Sequence, residues 1–199
     1  MQPAYYEDFD EIIKKIWLML NDAVTNRSSQ FRIPVFICGI QNDFDGRIVV
    51  LRKSDQDNNL IQFHSDIRSN KIEKLKSNNR ASLIFYDKEE KIQVRTKVEC
   101  TVNHKNEITE QSWLKTAHIS RKCYLVDNGP GTESNEPTSG LKPEKDNFDY
   151  TMEESEKGYE NFTVIQCKIK SFEWLYLAAK GHRRARFDLE NNKQTWLVP

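Results

Sequence analysis

The sequence predicts a mainly β protein, a closed barrel of six or seven antiparallel strands with flanking helices. Strand-like segments outnumber helical ones, and residues 91–102 alternate regularly between apolar and polar side chains. Two further segments, residues 47–53 and 81–87, offer apolar side chains to both faces of a sheet. Short antiparallel strands separated by turns are typical of a barrel, and 199 residues suit a single domain, 1–199.

The first predicted element is a helix from Asp8 to about Val24. Asp8 is a suitable N-cap, with Glu11 three positions later as in a capping box. Apolar residues recur at spacings of three and four and form one stripe that we expect to pack on the barrel: Phe9, Ile12, Ile13, Ile16, Trp17, Leu20 and Val24.

The next segments are predicted to be strands joined by a turn. Residues 31–40 form a strand, in which Pro34 indicates an edge position or a bulge because proline has no N–H to donate. Residues 41–46 are a turn, and 47–53 form the next strand. Its two apolar faces need cover, with the barrel interior on one side and a ligand or a second subunit on the other.

A short helix is predicted between two strands, from about Ser69 to Ser77, and Ile72 and Leu75 would attach it to the barrel. A strand follows, then a tight reversal at residues 88–91. In the alternating strand, the inward set would be Ile92, Val94, Thr96, Val98, Cys100 and Val102. Gln93 and Arg95 would then lie on the outer face, beside the start of the short helix.

The second half of the chain contains a predicted helix from Glu107 to about His118. Residues 127–147 are rich in Gly, Pro, Ser and charge and are expected to form a mobile loop. This loop is either a linker-like insertion, which its composition slightly favours, or a lid. A long strand bent near Ser171 and a hairpin turning at 191–192 complete the chain.

Composition argues for a local binding site in a cytoplasmic protein. The 30 basic residues balance 30 acidic ones, so no general attraction to nucleic acid or to an anionic membrane is expected. The N-terminal residues lack the apolar core of a signal peptide, and no apolar stretch is long enough to span a membrane. The four cysteines lack metal-ligand spacing and suit small buried side chains with reduced thiols.

The short helix is the candidate site for an anion. Its first turn carries Ser69, Asn70 and Lys71, preceded by Ser65. The start of a helix presents unpaired backbone N–H groups and the positive end of its dipole, so hydroxyls and a lysine gathered there favour a phosphate. Arg47 and Gln93, at the beginnings of the flanking strands, would reach a ligand lying along the sheet.

These residues occur in an order that resembles a known family. The order is Arg47, Leu51 and Arg52; then Phe63, His64, Ser65, Asp66, Ser69, Asn70 and Lys71; then Asn79 to Ser82, Leu83, Phe85 and Tyr86; then Gln93, Val94 and Arg95. The set resembles the FMN-binding split barrel of the pyridoxamine 5'-phosphate oxidase family. A weaker likeness to that family's closing segment lies at residues 172–187.

The resemblance implies FMN as the cofactor and assigns roles to individual residues. Arg47 and Lys71 would hold the phosphate, the backbone of residues 47–52 would lie along the ring, and Gln93 would bond its polar edge. The implied cofactor-binding set is Arg47, Ile48, Val49, Val50, Leu51, His64, Ser65, Asn70, Lys71, Gln93, Trp174 and Arg186. The implied substrate-binding set is Arg52, His182 and Arg184. No residue is expected to bind a metal or to catalyse directly, since flavin performs the chemistry.

The sequence departs from the family pattern in three places. Asn70 stands where the family often has an arginine, and Arg52 stands where the oxidase has a substrate-contacting lysine. The family's substrate loop, rich in arginine and serine, is absent. Residues 111–124 occupy its place, with Ser120, Arg121 and Tyr124 as stand-ins.

The resemblance therefore predicts an FMN-dependent oxidoreductase that acts on a small anionic substrate. Oxidation of pyridoxamine or pyridoxine 5'-phosphate to pyridoxal 5'-phosphate is the leading reaction. The alternatives are a flavin reductase-like oxidoreductase with another substrate and a non-catalytic FMN-binding protein, and RNA binding comes last. The family further implies a homodimer with the flavin at the subunit interface.

Overall fold

The computed structural model describes residues 4–141 and 150–199. The helices are α1 Phe9–Thr25, α2 Asn70–Ser77, α3 Glu107–Leu114, α4 His118–Arg121 and α5 Met152–Glu156. The strands are β1 Val35–Ile40, β2 Asp43–Ile48, β3 Leu51–Asp55, β4 Leu60–Asp66, β5 Arg80–Asp87, β6 Ile92–Asn103, β7 Phe162–Tyr176, β8 Arg183–Asp188 and β9 Lys193–Leu197. Within the described residues, short 3-10 turns lie at Ala4–Glu7, Gln30–Arg32, Lys122–Tyr124 and Lys157–Asn161.

The strands form one antiparallel sheet in the order β2-β1-β5-β6-β7-β4-β3, from which β8 and β9 branch at β7. The first half of β7 pairs with β4 as far as Lys168, and the second half pairs with β8 from Ser171 onward. Among the described residues, no ladder joins the end strands β2 and β3. The mainly β antiparallel class and the split barrel that the family resemblance implies are confirmed. The described sheet does not close, and it has nine strands instead of six or seven.

The strand count differs because residues 43–55 behave differently from the expectation. The predicted turn at 41–46 is mostly strand, with the reversal at Gln41, and the predicted strand 47–53 is broken at residues 49 and 50. The backbone N–H of Val49 donates to the carbonyl of Pro34 at 3.0 Å instead of to a neighbouring strand. Pro34 directly precedes β1, which lies inside the sheet between β2 and β5, so the expected edge position is wrong.

Helix α1 and the alternation of β6 agree with the prediction. The Asp8 carboxylate accepts hydrogen bonds from the backbone N–H groups of Asp10 at 2.9 Å and Glu11 at 3.1 Å, which begins the helix. The apolar stripe of α1 is buried against the inner face of the sheet, where Trp17 meets Phe172 edge to face with 5.5 Å between ring centroids. The inward set of β6 is buried from Ile92 to Cys100.

A second, smaller hydrophobic cluster stabilises the part of the chain that connects β6 to β7. Trp113, Phe162 and Val164 form its buried centre. The predicted helix over 107–118 ends earlier, at Leu114, and a second short helix follows. Residues 127–141 form irregular turns, while residues 142–147 of the predicted mobile loop lie outside the described residues. None of the helices described has the length and apolarity to cross a bilayer.

Candidate functional site

The start of α2 collects polar side chains around a buried lysine. Strand β4 ends at Asp66. The carbonyl of Asp66 accepts a hydrogen bond from the N–H of Ser69 at 3.1 Å, and this turn leads into the helix. Lys71 Nζ donates to Ser65 Oγ at 2.8 Å and to Ser69 Oγ at 2.7 Å. Arg47 Nη1 from β2 donates to the same Ser69 hydroxyl at 3.4 Å. We call Arg47, Ser65, Ser69 and Lys71 the anion seat.

The electrostatics of the anion seat are unbalanced. Only 9% of Lys71 is exposed, and burial together with the neighbouring charge of Arg47 lowers the pKa of Lys71 to about 8. Arg47 contacts Asp45, but its buried Nε has no partner in the described structure. The carboxylate of Asp66, which also lies at this cleft, is already paired with Arg68 at 2.8 Å. An anion would satisfy both cations.

The seat opens into a cleft of about 310 Å³ that joins β2, β3, β4 and α2. Eight of the residues predicted for cofactor and substrate line it: Arg47, Ile48, Val49, Val50, Arg52, His64, Ser65 and Lys71. Asp66, Cys123, Tyr124 and Pro130 complete the lining. The structure therefore brings the N-terminal part of the predicted site together in one place.

Arg52 and His64 lie next to the seat and remain in different charge states. Burial lowers the pKa of His64 to about 3, with a smaller effect of the nearby Arg52, so this imidazole is neutral near pH 7. Its ring stands edge to face against Phe162, with 4.7 Å between centroids. The Arg52 guanidinium has its pKa lowered by burial but stays charged, and no described carboxylate pairs with it. Arg52 is thus a second cation in the cleft.

Two predicted cofactor residues in this half of the chain have different surroundings. The Leu51 side chain is buried in the core, so only its backbone borders the cleft region. Asn70 is the first residue of α2 and its side chain is exposed to solvent, outside the cleft lining.

The remaining predicted residues lie on a different surface. In the pairing of β2, β1, β5 and β6, Arg47 stands opposite Phe36, Phe36 opposite Leu83, and Leu83 opposite Thr96. These four side chains form one row across the strands, on the inner face of the sheet. Gln93 and Arg95 alternate with Thr96 and lie on the outer face. Within one chain the expected proximity of Gln93 and Arg95 to the phosphate seat is therefore wrong, while the role of Gln93 towards the cofactor stays a prediction.

On this outer face, the carboxylate of Glu173 forms ion pairs with three arginines. It accepts from Arg184 Nε at 3.0 Å and from Arg186 Nη2 at 3.5 Å, and it also pairs with Arg95. We call these four residues the arginine cluster. One carboxylate serves three guanidinium groups, so the cluster retains positive charge but each arginine already has an acidic partner.

His182 and Trp174 are engaged within the fold. The Nδ1 atom of His182 accepts the N–H of Ala178 at 3.0 Å, which closes the turn before β8. Trp174 is fully buried on the inner face against Tyr6, with 5.6 Å between ring centroids, and its Nε1 has no partner in the described structure. Neither side chain lines the cleft.

The sequence reasoning missed much of the wall formed by residues 123–130. Cys123 and Pro130 were not singled out, and Tyr124 was only a stand-in for the substrate loop. The stand-in Arg121 is 2% exposed, donates to the Trp113 carbonyl at 3.0 Å and pairs with Glu156. Arg121 therefore stabilises the small cluster and does not face the cleft, and the Gly- and Pro-rich composition after Tyr124 carries no signal of a cleft wall.

Comparison with known proteins agrees with this geometry. Residues 17–104 match the family model described as pyridoxamine 5'-phosphate oxidase, FMN-binding domain. No curated protein sequence matches the chain significantly.

Solved structures share the fold at low sequence identity. A pyridoxamine 5'-phosphate oxidase-related, FMN-binding protein from Nostoc punctiforme PCC 73102 has a TM-score of 0.67 and 15% identity, covering 100% of both chains. PhzG from Burkholderia lata 383 has a TM-score of 0.72 and 15% identity, covering 100% of this chain and 98% of that one. A protein related to general stress protein 26 from Clostridium acetobutylicum has a TM-score of 0.57 and 14% identity, covering 90% of this chain and 99% of that one.

The residues present fit the phosphate end of FMN. Two cations, two hydroxyls and the first turn of α2 converge here. Lys71 forms no ion pair with a described carboxylate, and an unpartnered buried guanidinium nitrogen of Arg47 adds a free donor. The eight cleft residues all lie within the matched segment, whereas Trp174, His182, Arg184 and Arg186 lie beyond it. The segment that matches the pyridoxamine 5'-phosphate oxidase FMN-binding domain, residues 17–104, therefore contains the whole anion seat.

Proposed function

We propose that the protein is an FMN-dependent oxidoreductase that acts on a small anionic substrate. The observation that carries the proposal is Lys71, a buried cation beside Arg47 that forms no ion pair with a described acid, in a segment that matches an FMN-binding domain. A buried charge without a counter-charge costs stability, so such a site is expected where a ligand provides the missing charge.

The residues of the cleft divide into a phosphate end and a ring end. Arg47 and Lys71 would hold the phosphate with the help of the Ser65 and Ser69 hydroxyls, and the backbone from Ile48 to Leu51 would border the ring. FMN, when bound, supplies the hydride chemistry. The free guanidinium of Arg52 would orient an anionic group of the substrate, and neutral His64 would add no competing charge.

A homodimer would complete this site. The outer face of β2 and β5 leaves large apolar side chains exposed, with Phe44 at 72%, Ile48 at 58% and Tyr86 at 48%. Gln93 and Arg186, the predicted cofactor residues of that face, are separated by the sheet from their own cleft. A second copy seated on this face would cover the apolar side chains and bring its own outer-face residues to the flavin.

The dimer is tested by sedimentation at micromolar concentration. Phe44→Glu places a charge in the apolar face outside the cleft lining and should produce a monomer that binds FMN less tightly, whereas Leu114→Glu, exposed on α3, should leave the dimer unchanged. A monomeric wild-type protein that retains FMN would exclude the shared site.

Two substrate classes remain as proposals. The first is pyridoxamine or pyridoxine 5'-phosphate, whose two-electron oxidation to pyridoxal 5'-phosphate would reduce dioxygen to hydrogen peroxide. With pyridoxamine 5'-phosphate, water would hydrolyse the imine product and ammonia would leave. The second is another anionic substrate, as in a flavin reductase-like oxidoreductase. Burial of Arg121 favours the second, because the one basic stand-in for the family's substrate loop does not face the cleft, although Tyr124 does. The structurally similar PhzG was solved with tetrahydrophenazine-1-carboxylic acid, a ligand with a carboxyl group.

The visible absorbance spectrum tests the cofactor first. Purified protein, mixed with FMN and then freed of the unbound excess, should retain a flavin spectrum. Pyridoxamine 5'-phosphate and a panel of aromatic carboxylates are then added with peroxide detection. Bleaching of the flavin under anaerobic conditions by any of them identifies the substrate class, while a flavin that none of them reduces supports a non-catalytic FMN-binding protein.

The four free cysteines fit the reducing cytoplasm, the location that we propose.

A further inference from the structure

Residues 123–130 form a wall of the cleft, and we call them the cover segment. Cys123, Tyr124 and Pro130 line the same cavity as Lys71 and Arg52. From composition alone, its second half, residues 127–130, was assigned to a loop that is either a linker-like insertion or a lid. Its position at the cleft instead raises the question of what holds it there.

Arg68 links the cover segment to the start of α2. Its Nη1 donates to the carbonyls of Val126 at 3.1 Å and Asp127 at 3.0 Å, and its Nη2 also reaches Val126 at 3.1 Å. The other edge of the guanidinium is held by Asp66, with Nε to Oδ1 at 3.0 Å and Nη2 to Oδ2 at 2.8 Å. A planar fork held on one edge by a carboxylate presents its remaining donors in a fixed direction.

Two further contacts support the same connection. Asn161 Nδ2 donates to the carbonyl of Tyr124 at 2.8 Å, and the Asn161 carbonyl accepts the N–H of Ile67 at 2.8 Å. Gly129 packs so closely that an added Cβ would lie 3.0 Å from the Cβ of Arg68. The cover segment is therefore attached to residues 66–68, which directly precede the anion seat.

We propose that Arg68 is a positioning residue that holds the cover segment as a wall of the flavin cleft. The inference rests on the proposed function, because it assigns the cleft to FMN. Arg68 itself does not line the cleft, so it acts on the ligand through the cover segment. Its loss should leave the anion seat intact but open the cleft to solvent on that side.

The first test needs no flavin. Amide hydrogen exchange is measured over residues 125–132 in FMN-free wild type, Arg68→Ala, Arg68→Lys and the control Arg80→Ala, whose arginine is exposed at the start of β5. We expect roughly tenfold or faster exchange in Arg68→Ala, from the loss of several bonds to a charged donor. Lysine lacks the fork, so Arg68→Lys should restore the protection only in part. Exchange equal to wild type in Arg68→Ala would overturn the positioning role.

The second test follows FMN release by the fluorescence that flavin regains in water. Arg68→Ala combined with Asp66→Asn, which removes the carboxylate that Arg68→Ala alone would leave unpaired at the cleft, should release FMN several-fold faster than wild type and Arg80→Ala. Faster amide exchange with unaltered FMN release would overturn the action of the cover segment on the ligand. If wild type binds no FMN, the proposed function fails, and the exchange experiment still decides the role of Arg68.

Discussion

The anion seat at the start of α2 and the arginine cluster on β6, β7 and β8 both gather cations, but they balance them differently. In the seat, Lys71 is buried among hydroxyls beside Arg47 and forms no ion pair with a described acid, since Asp66 at the same cleft is paired with Arg68. In the cluster, Glu173 lies between three arginines and accepts from all of them. The cluster is largely compensated by its own carboxylate, while the seat lacks an anion.

Another lysine of α2 shows that burial alone does not make such a seat. Lys74 is also buried, but its Nζ pairs with the Asp43 carboxylate at 2.8 Å and fastens α2 to β2. The difference between Lys71 and Lys74 is the presence of an acid. Missing counter-charge at a buried cation therefore separates a binding residue from a structural one in this fold.

The largest effect is expected when both cations of the seat are removed. Arg47→Ala combined with Lys71→Ala should weaken FMN binding about 10²- to 10⁴-fold, because each charge-assisted bond to a phosphate contributes roughly 1.5–3 kcal/mol. The dissociation constant is measured by flavin fluorescence titration, with circular dichroism to show that the fold remains. The matched control is Lys76→Ala, an exposed lysine on the same helix. An unchanged FMN affinity in the double variant would contradict the assignment of the seat.

The next effect is a pH dependence that only the seat can show. With a pKa of about 8, Lys71 of the FMN-free protein loses its charge as the pH rises above 8. Phosphate favours the charged form, so FMN affinity should fall with rising pH, by roughly 30-fold between pH 7 and 9.5. The arginines of the cluster do not titrate in this range. Lys71→Arg should flatten the profile, and an equally steep profile in that variant would assign the titration to another group.

A smaller effect is expected from the arginine cluster. Arg184→Ala should raise the KM for the substrate about tenfold, the size expected for one lost charged hydrogen bond, and leave FMN binding unchanged. Arg183→Ala is the control, since its guanidinium pairs with Glu7 at 3.1 Å and its position alternates with Arg184 on the strand. If Arg184→Ala loses FMN instead, the cofactor-binding and substrate-binding arginines of β8 have been exchanged.

The contrast between the two regions also explains what the sequence could predict. The cap and stripe of α1, helix α2 and the alternation of β6 depend on neighbours a few positions apart, and all three were predicted. The residues of the seat were found because they lie close together along the chain, between Arg47 and Lys71. Local patterns were therefore enough for this half of the site.

The features that were not predicted depend on distant contacts. The break between β2 and β3 occurs where the backbone N–H of Val49 donates a hydrogen bond to the carbonyl of Pro34. The sequence around Val49 does not indicate this bond. The face on which Gln93 lies relative to Arg47 depends on the pairing of the strands between them. The cover segment reaches the cleft through Arg68, whose partners are backbone carbonyls that carry no residue-specific signal.

The smallest effects are expected in the stability of the FMN-free protein, and they have opposite signs in the two regions. Lys71→Met should raise the free energy of unfolding at pH 7 by about 1 kcal/mol, because removing a desolvated charge outweighs the bonds lost by the two serines. Glu173→Gln should lower it by about 1 kcal/mol, since three partly exposed arginines lose their shared acid.

The pH dependence of the Lys71→Met effect identifies its cause. The pKa of Lys71 is lower in the folded protein, about 8, than its ordinary 10.5, so the cost of its charge is present below pH 8 and fades as the pH rises to 10.5. The advantage of Lys71→Met in chemical denaturation should therefore shrink over that range. If the gain in free energy of unfolding of Lys71→Met stays constant with pH, its cause is better packing by methionine. The seat of the FMN-free protein would then contain no desolvated, uncompensated charge.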